Sequence, residues 1–321
     1  MGRRTFILAV AMLVVAGSGA ALTLFLMRRE RPYDPAFDTR VGRPAHPGGG
    51  GPLVLYDEGH LNTHTADSAY RPFVELVRSD GFEVSVVREP FTADLLATAA
   101  VLVVVAPRGV NETNDDPAFT RAEIAVVHDW VEGGGALLLV TDHWPFGAAA
   151  ESLGRAFGVE MGKGLVEDPG HSDPERGASH LVFDRENGLL RDHPIVRGGD
   201  PEEAVRRVLT FTGQSLAGPP GSTAFLALSD AAIEYPPTTP SVARDGGDLR
   251  VSMEYGQPVP AAGRAQGLAF EPGEGRVVVL GEAGMLRAQR LADSGAVGMS
   301  HPGYDNRRLA LNAMRWLARA L

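Results

Sequence analysis

The sequence predicts an α/β fold built on a doubly wound, mostly parallel sheet, and three observations predict it. Short apolar runs alternate with helix-patterned segments along the chain. Two of those runs, Val101–Val105 and Ala136–Val140, are apolar at every position, as strands buried on both faces are. The helix patterns close on glycine, at Gly81, Gly133 and Gly158.

Leu53–Tyr56 is the first short apolar run. Ser68–Asp80 then places Tyr70, Phe73, Val74 and Val77 at helical spacing, and Phe82–Val87 alternates like a strand. After the buried strand Val101–Val105, Thr120-x-x-Glu123 forms a capping box that opens a helix with Ile124, Val127 and Val131 on one face. Gly133-Gly134-Gly135 stands between this helix and the strand Ala136–Val140, so it reads as a turn and not as a phosphate cradle. A short helix anchored by Leu153 and Phe157 follows. From about residue 162 to 275 the rhythm breaks into Pro- and Gly-rich pieces, read as an inserted β/loop-rich segment packed against the sheet. Arg276–Leu280 is a last buried strand, and Asp305–Leu321 a final amphipathic helix.

The chain has 321 residues and no cysteine, which excludes disulfides, thiolate nucleophiles and Cys-ligated metal centres. Its net charge is −10, and the first 31 residues hold five Arg against one Glu. The remainder is near −14, which argues against nucleic acid as a partner.

Thr5–Met27 is an uncharged apolar stretch of 23 residues. As a helix it would span roughly 35 Å, enough for a ~30 Å hydrocarbon core. Arg3 and Arg4 precede it, and Arg28, Arg29 and Arg31 follow. A cleaved signal peptide is the alternative, with Ser18-Gly19-Ala20 as its small-residue site, but Leu22–Met27 continues the apolar run past that point. The reading is a tail and transmembrane anchor over residues 1–31, single-pass in the cell membrane, with the large domain extracytoplasmic. Residues 32–52, rich in Pro and Gly, read as a flexible tether, and residues 53–321 as the α/β domain.

Ligands in such sheets sit outside the carboxyl ends of the strands. The first strand ends in Asp57-Glu58-Gly59-His60, Ala136–Val140 in Thr141-Asp142-His143, and the last strand in Gly281-Glu282. Carboxylates on a buried rim are costly unless they are paired, hydrogen-bonded or metal-bound. Asp57, Glu58, His60, Asp142, His143 and Glu282 are therefore the candidate polar cleft, expected along one cleft of the sheet edge. Asp57, His60, Asp142 and His143 are the candidate ligands for a divalent metal. Helix capping by Asp57 and Asp142 is the plainer alternative.

The order of several motifs resembles a family. Asp57-Glu58-Gly59-His60 is followed by Phe119-Thr120-x-x-Glu123 leading into Gly133-Gly134-Gly135, then by His193-Pro194-Ile195 and Thr212-Gly213-Gln214-Ser215. Gly275–Val279 with Gly281-Glu282 comes next, and Asp305-Asn306 leads to Trp316-Leu317. This series resembles the membrane-anchored, Cys-lacking branch of the class I glutamine amidotransferase-like superfamily. That branch includes the extracytoplasmic domains of gliding-motility-type ABC transporter accessory proteins. The resemblance implies a flavodoxin-like sheet and puts the elbow where amidotransferases hold their nucleophilic Cys at Thr141-Asp142-His143. Two functions from different classes follow. One is a non-catalytic ligand- or partner-binding module beside a transporter or another membrane protein. The other is an extracytoplasmic, metal-assisted hydrolase in which Asp142 or Glu58 is the general base and His60 and His143 are ligands or acid–base partners.

Overall fold

The computed structural model describes residues 32–245, 248–291 and 295–321, and the backbone of two three-residue strands, Met12–Val14 and Ala21–Thr23. These two strands lie inside Thr5–Met27 and pair antiparallel, Met12 opposite Thr23, where the sequence reading expects one helix; the other residues of that run lie outside the described residues. Among the described residues no helix is long and apolar enough to cross a membrane.

A nine-stranded sheet forms the centre of the domain. In chain order its strands are β1 (Leu53–Asp57), β2 (Glu83–Val87), β3 (Val101–Val105), β4 (Ala136–Val140), β5 (Glu160–Met161), β6 (Leu216–Ala217), β7 (Thr223–Ala227), β8 (Ala265–Phe270) and β9 (Arg276–Leu280). The run β2-β1-β3-β4-β9 is parallel throughout, with Leu102 opposite Leu137 and Leu139 opposite Val279. This is the flavodoxin-like order, with its switch point between β1 and β3. β3 and β4 are buried at every residue, as two covered faces require, whereas the edge strand β2 alternates.

Four helices cover the sheet: α1 (Arg71–Ser79), α2 (Arg121–Glu132), α3 (Phe146–Ala156) and α4 (Asn306–Leu317). Phe73, Val77, Leu309 and Trp316 bring α1 and α4 onto one face, and Val127, Val131, Ala150 and Leu153 bring α2 and α3 onto the other. The capping box is present: Glu123 N donates to Thr120 Oγ1 at 3.2 Å, and Thr120 N to Glu123 Oε2 at 3.0 Å. The glycine turn is equally specific. Gly134 has φ +112°, and a Cβ on Gly135 would lie 2.3 Å from the Trp130 ring.

Two expectations change. The 162–275 segment is not merely laid against the sheet, because β6, β7 and β8 continue it antiparallel beyond β9. Its Pro237–Asp245 and Asp248–Tyr255 strands pair with each other as a separate hairpin. Residues 32–52 are not a loose tether but a strap. Phe37, Val41 and Ala45 pack on the core, and backbone bonds run from Asp34 to Ala288 and from His46 to Asp80. Arg315 binds this strap, α1 and α4 together. Its Nε and Nη2 each lie 2.7 Å from Asp80, Nη1 lies 2.8 Å from Glu203, and Nη2 donates to Arg43 O at 2.9 Å.

Candidate functional site

At the switch point the side chains are bonded to one another. His60 Nδ1 lies 2.9 and 3.0 Å from the two oxygens of Asp57, and Nε2 lies 3.0 Å from Glu123 Oε1. Asp57 also accepts from Gly59 N and Asn62 Nδ2, and Asn62 ties the loop to Val105 O. Glu123 also accepts from Phe91 N and from the amide and hydroxyl of Thr120. The three residues are 0%, 8% and 6% exposed for Asp57, His60 and Glu123. A ring with a carboxylate at each nitrogen donates from both, so His60 is held as the imidazolium. Burial opposes that charge, but Asp57 and then Glu123 outweigh it, and the pKa of His60 is raised. The ring packs against both Phe91 at 4.7 Å and Phe119 at 4.4 Å, which stack on each other at 6.0 Å. Each carboxylate oxygen already accepts two bonds, so the assembly is a saturated staple between β1 and α2. Glu58 is also engaged, accepting from Ala66 N at 2.9 Å and pairing with Arg88 at 2.6 Å.

A second cluster forms where β4 and β9 end. Asp142 accepts from His143 N at 2.8 Å and from Ala283 N at 3.0 Å, joining the two strand exits. It does not cap α3, whose N-cap is Pro145 and which has no side-chain cap. Glu282 accepts from Gly284 N and, at 2.7 Å, from Met285 N. Burial and then the neighbouring Asp142 push Glu282 well above the usual carboxyl range, and burial raises Asp142 as well. Tyr70, donating to Ala283 O at 2.7 Å, closes the cluster from α1. Arg287 acts electrostatically on Asp142, Glu282, Tyr70 and His64, and its Nε is buried without a partner. Burial and Arg287 bring the His64 pKa down to about 3, so this imidazole is neutral. His143 Nδ1 lies 2.7 Å from Trp144 O, and its Nε2 is 3.6 Å from Asp142.

The expected single cleft is therefore two sites. Asp142, His143 and Glu282 converge; Asp57 and His60 do not join them. β3 lies between, a separation of about 10 Å. The His60 staple also packs among the residues of the α2 face and the Tyr70–Ala283–Met285 group among those of the α1 face. Among the described residues no three His, Asp or Glu side chains are placed to hold a metal ion. The geometry accounts for this. Asp57 and His60 are consumed by each other, and Asp142 faces backbone amides.

Several residues of these clusters carry no motif that points to them. Glu123 carried a capping signal but no sign of its bond to His60. Tyr70 read as core, and Arg287 had no motif at all. His193 is buried, and its ring accepts from Ile195 N at 3.2 Å. It lines a cleft of about 600 Å³ with His128, Phe157, Phe270 and Trp316, but that cleft opens at the amino edge, away from both clusters.

No protein-family model and no curated protein matches the chain. Among solved structures it is similar to the mmIFT52 N-terminal domain, with 14% identity and a TM-score of 0.56 over 83% of this chain and 96% of that one. It is also similar to a ThuA-like protein from Parabacteroides merdae, with 14% identity and a TM-score of 0.42 over 84% and 90%. A GMP synthase component from Thermoplasma acidophilum shares 10% identity and a TM-score of 0.41 over 84% and 94%. These are likenesses of fold. The first of them agrees with an α/β domain of this topology and carries no activity with it.

Proposed function

We propose that this chain is a membrane-anchored ligand- or partner-binding domain without amidotransferase chemistry, accessory to a transport system or another membrane protein. The observation that carries this reading is the state of the elbow after β4. Thr141 is fully buried, its hydroxyl donating to Leu280 O at 3.1 Å and accepting from Gln214 Nε2 at 2.6 Å. Asp142 spends both oxygens on backbone amides. Covalent catalysis needs an attacking atom with a base in hydrogen-bond reach. Thr141, Asp142 and His143 make no such pair, and the chain has no Cys. The apolar run Thr5–Met27, with Arg3 and Arg4 ahead of it, supports an anchored, extracytoplasmic placement.

The hydrolase reading keeps one observation in its favour. Asp142 and Glu282 are neighbouring buried carboxyls with raised pKa values beside Arg287, an arrangement suited to a general acid. The full chain in detergent, incubated with glutamine and with chromogenic esters and glycosides, with and without divalent metal, separates the two. The binding reading expects no turnover above buffer. Turnover that Asp142→Asn abolishes would establish the hydrolase instead.

A further inference from the structure

The strap enters the domain at a defined place. Arg71, at the start of α1, stacks over the Tyr33 ring at 5.4 Å and donates to its hydroxyl at 3.0 Å. Asp34 N donates to Ala288 O at 2.7 Å, and its carboxylate accepts from Arg290 at 2.8 Å and Ser300 at 3.3 Å. The start of α1 and the segment after β9 both belong to the carboxyl edge of the sheet. From there the strap follows α1 and α4 toward the opposite edge. Arg307, in the first turn of α4, donates to the carbonyls of Asp38 and Arg40. Val41 N then donates to Ser79 at the end of α1, and Ala45 N to Asp80.

We propose that the strap seats the domain on the bilayer with the carboxyl edge of the sheet, and the Asp142–Glu282 cluster on it, facing the phospholipid headgroups. This rests on the anchored reading of Thr5–Met27. The chain between Met27 and Asp34 reaches at most about 25 Å. A domain of this size is about 50 Å across. The edge where the strap enters is thus held on the membrane side, and the amino edge with its cleft points away. A ligand of the Asp142–Glu282 cluster is then one presented at the membrane surface.

The absence of native cysteine makes the test clean. Val110, exposed in the loop after β3, reports the carboxyl edge, and Glu274, exposed in the turn before β9, reports the amino edge. Val110→Cys and Glu274→Cys versions of the full chain are labelled with a fluorophore and reconstituted. The vesicles are phosphatidylcholine and phosphatidylglycerol carrying a headgroup quencher. The Val110 label should lose most of its emission and the Glu274 label little. A Gly/Ser insert of about 30 residues after Arg31 should remove the difference. Equal quenching without the insert, or stronger quenching at residue 274, overturns the orientation while leaving the anchor intact. Protein released from the vesicles by alkaline carbonate overturns the anchor, and the orientation with it.

Discussion

Replacing His60 with alanine tests the staple at the switch point. The substitution removes the imidazolium that meets Asp57 at 2.9 Å and Glu123 at 3.0 Å, leaving two carboxylates that are almost wholly buried. Breaking a buried pair from one side costs about 3–5 kcal/mol. Asp57 keeps Gly59 and Asn62, and Glu123 keeps Phe91 and Thr120, which moderates the loss. The lost contacts with Phe91 and Phe119 add about 0.5–1.5 kcal/mol. The expected cost is therefore about 3–5 kcal/mol near pH 6. The pH dependence has a definite sign. Because the folded pKa of His60 is raised, its contribution is full below the unfolded value of 6.5 and is lost as pH rises through the folded one. Glu123 is held below its ordinary 4.5, despite burial, by Thr120 and His60, so its contribution is lost as pH falls. Urea unfolding of residues 32–321, wild type against His60→Ala, should show the gap at its widest near pH 6 and narrowing toward about pH 9. A cost below about 1 kcal/mol, or a gap constant across that range, would refute the charged staple.

Other expectations follow from the same contacts. A chain begun at residue 53 loses the packing of Phe37, Val41 and Ala45 and should be about 2–5 kcal/mol less stable than one begun at residue 32; equal unfolding midpoints would return the strap to a tether. Arg315→Ala strands Asp80, which is fully buried, and should cost about 3–5 kcal/mol by the same unfolding assay. A loss no larger than that of an exposed arginine would contradict it. Asp142, with its pKa raised chiefly by burial, destabilises the fold as pH rises past its ordinary 3.8. Asp142→Asn removes that titration together with one of the two acceptors for His143 N and Ala283 N, so the variant's melting temperature should decline less steeply than the wild type's above about pH 4, and an equally steep decline would contradict that sign.

The parallel half of the sheet was legible because β3 and β4 are apolar at every position, a pattern that a doubly covered strand requires. β8 was not. Its six buried residues include Gln266, bonded to Thr210 and Thr212, and Gly267, whose missing Cβ leaves room for Phe225 and Leu226, so partnering and close approach disguise a core strand. β5 and β6 are two residues each, too short for any periodicity. In the strap, Pro and Gly content drew attention away from Phe37, Val41 and Ala45, which anchor it at a spacing of four. The site divides in the same way. Strand-end logic brought Asp142, His143 and Glu282 to one edge, and they meet there. That logic names the edge and not the face, so it could not separate Asp57 and His60, whose loop turns toward α2. Arg287 follows the 3-10 turn Gly284–Leu286, a local path that no sequence pattern announced.

Fractionation of cells producing the chain with a reporter fused after Leu321 tests the central claim most directly. An anchored, extracytoplasmic binding domain requires the full-length chain to stay in carbonate-washed membranes with its reporter active outside the cytoplasm. Recovery in the soluble fraction, or a reporter active in the cytoplasm alone, would contradict it.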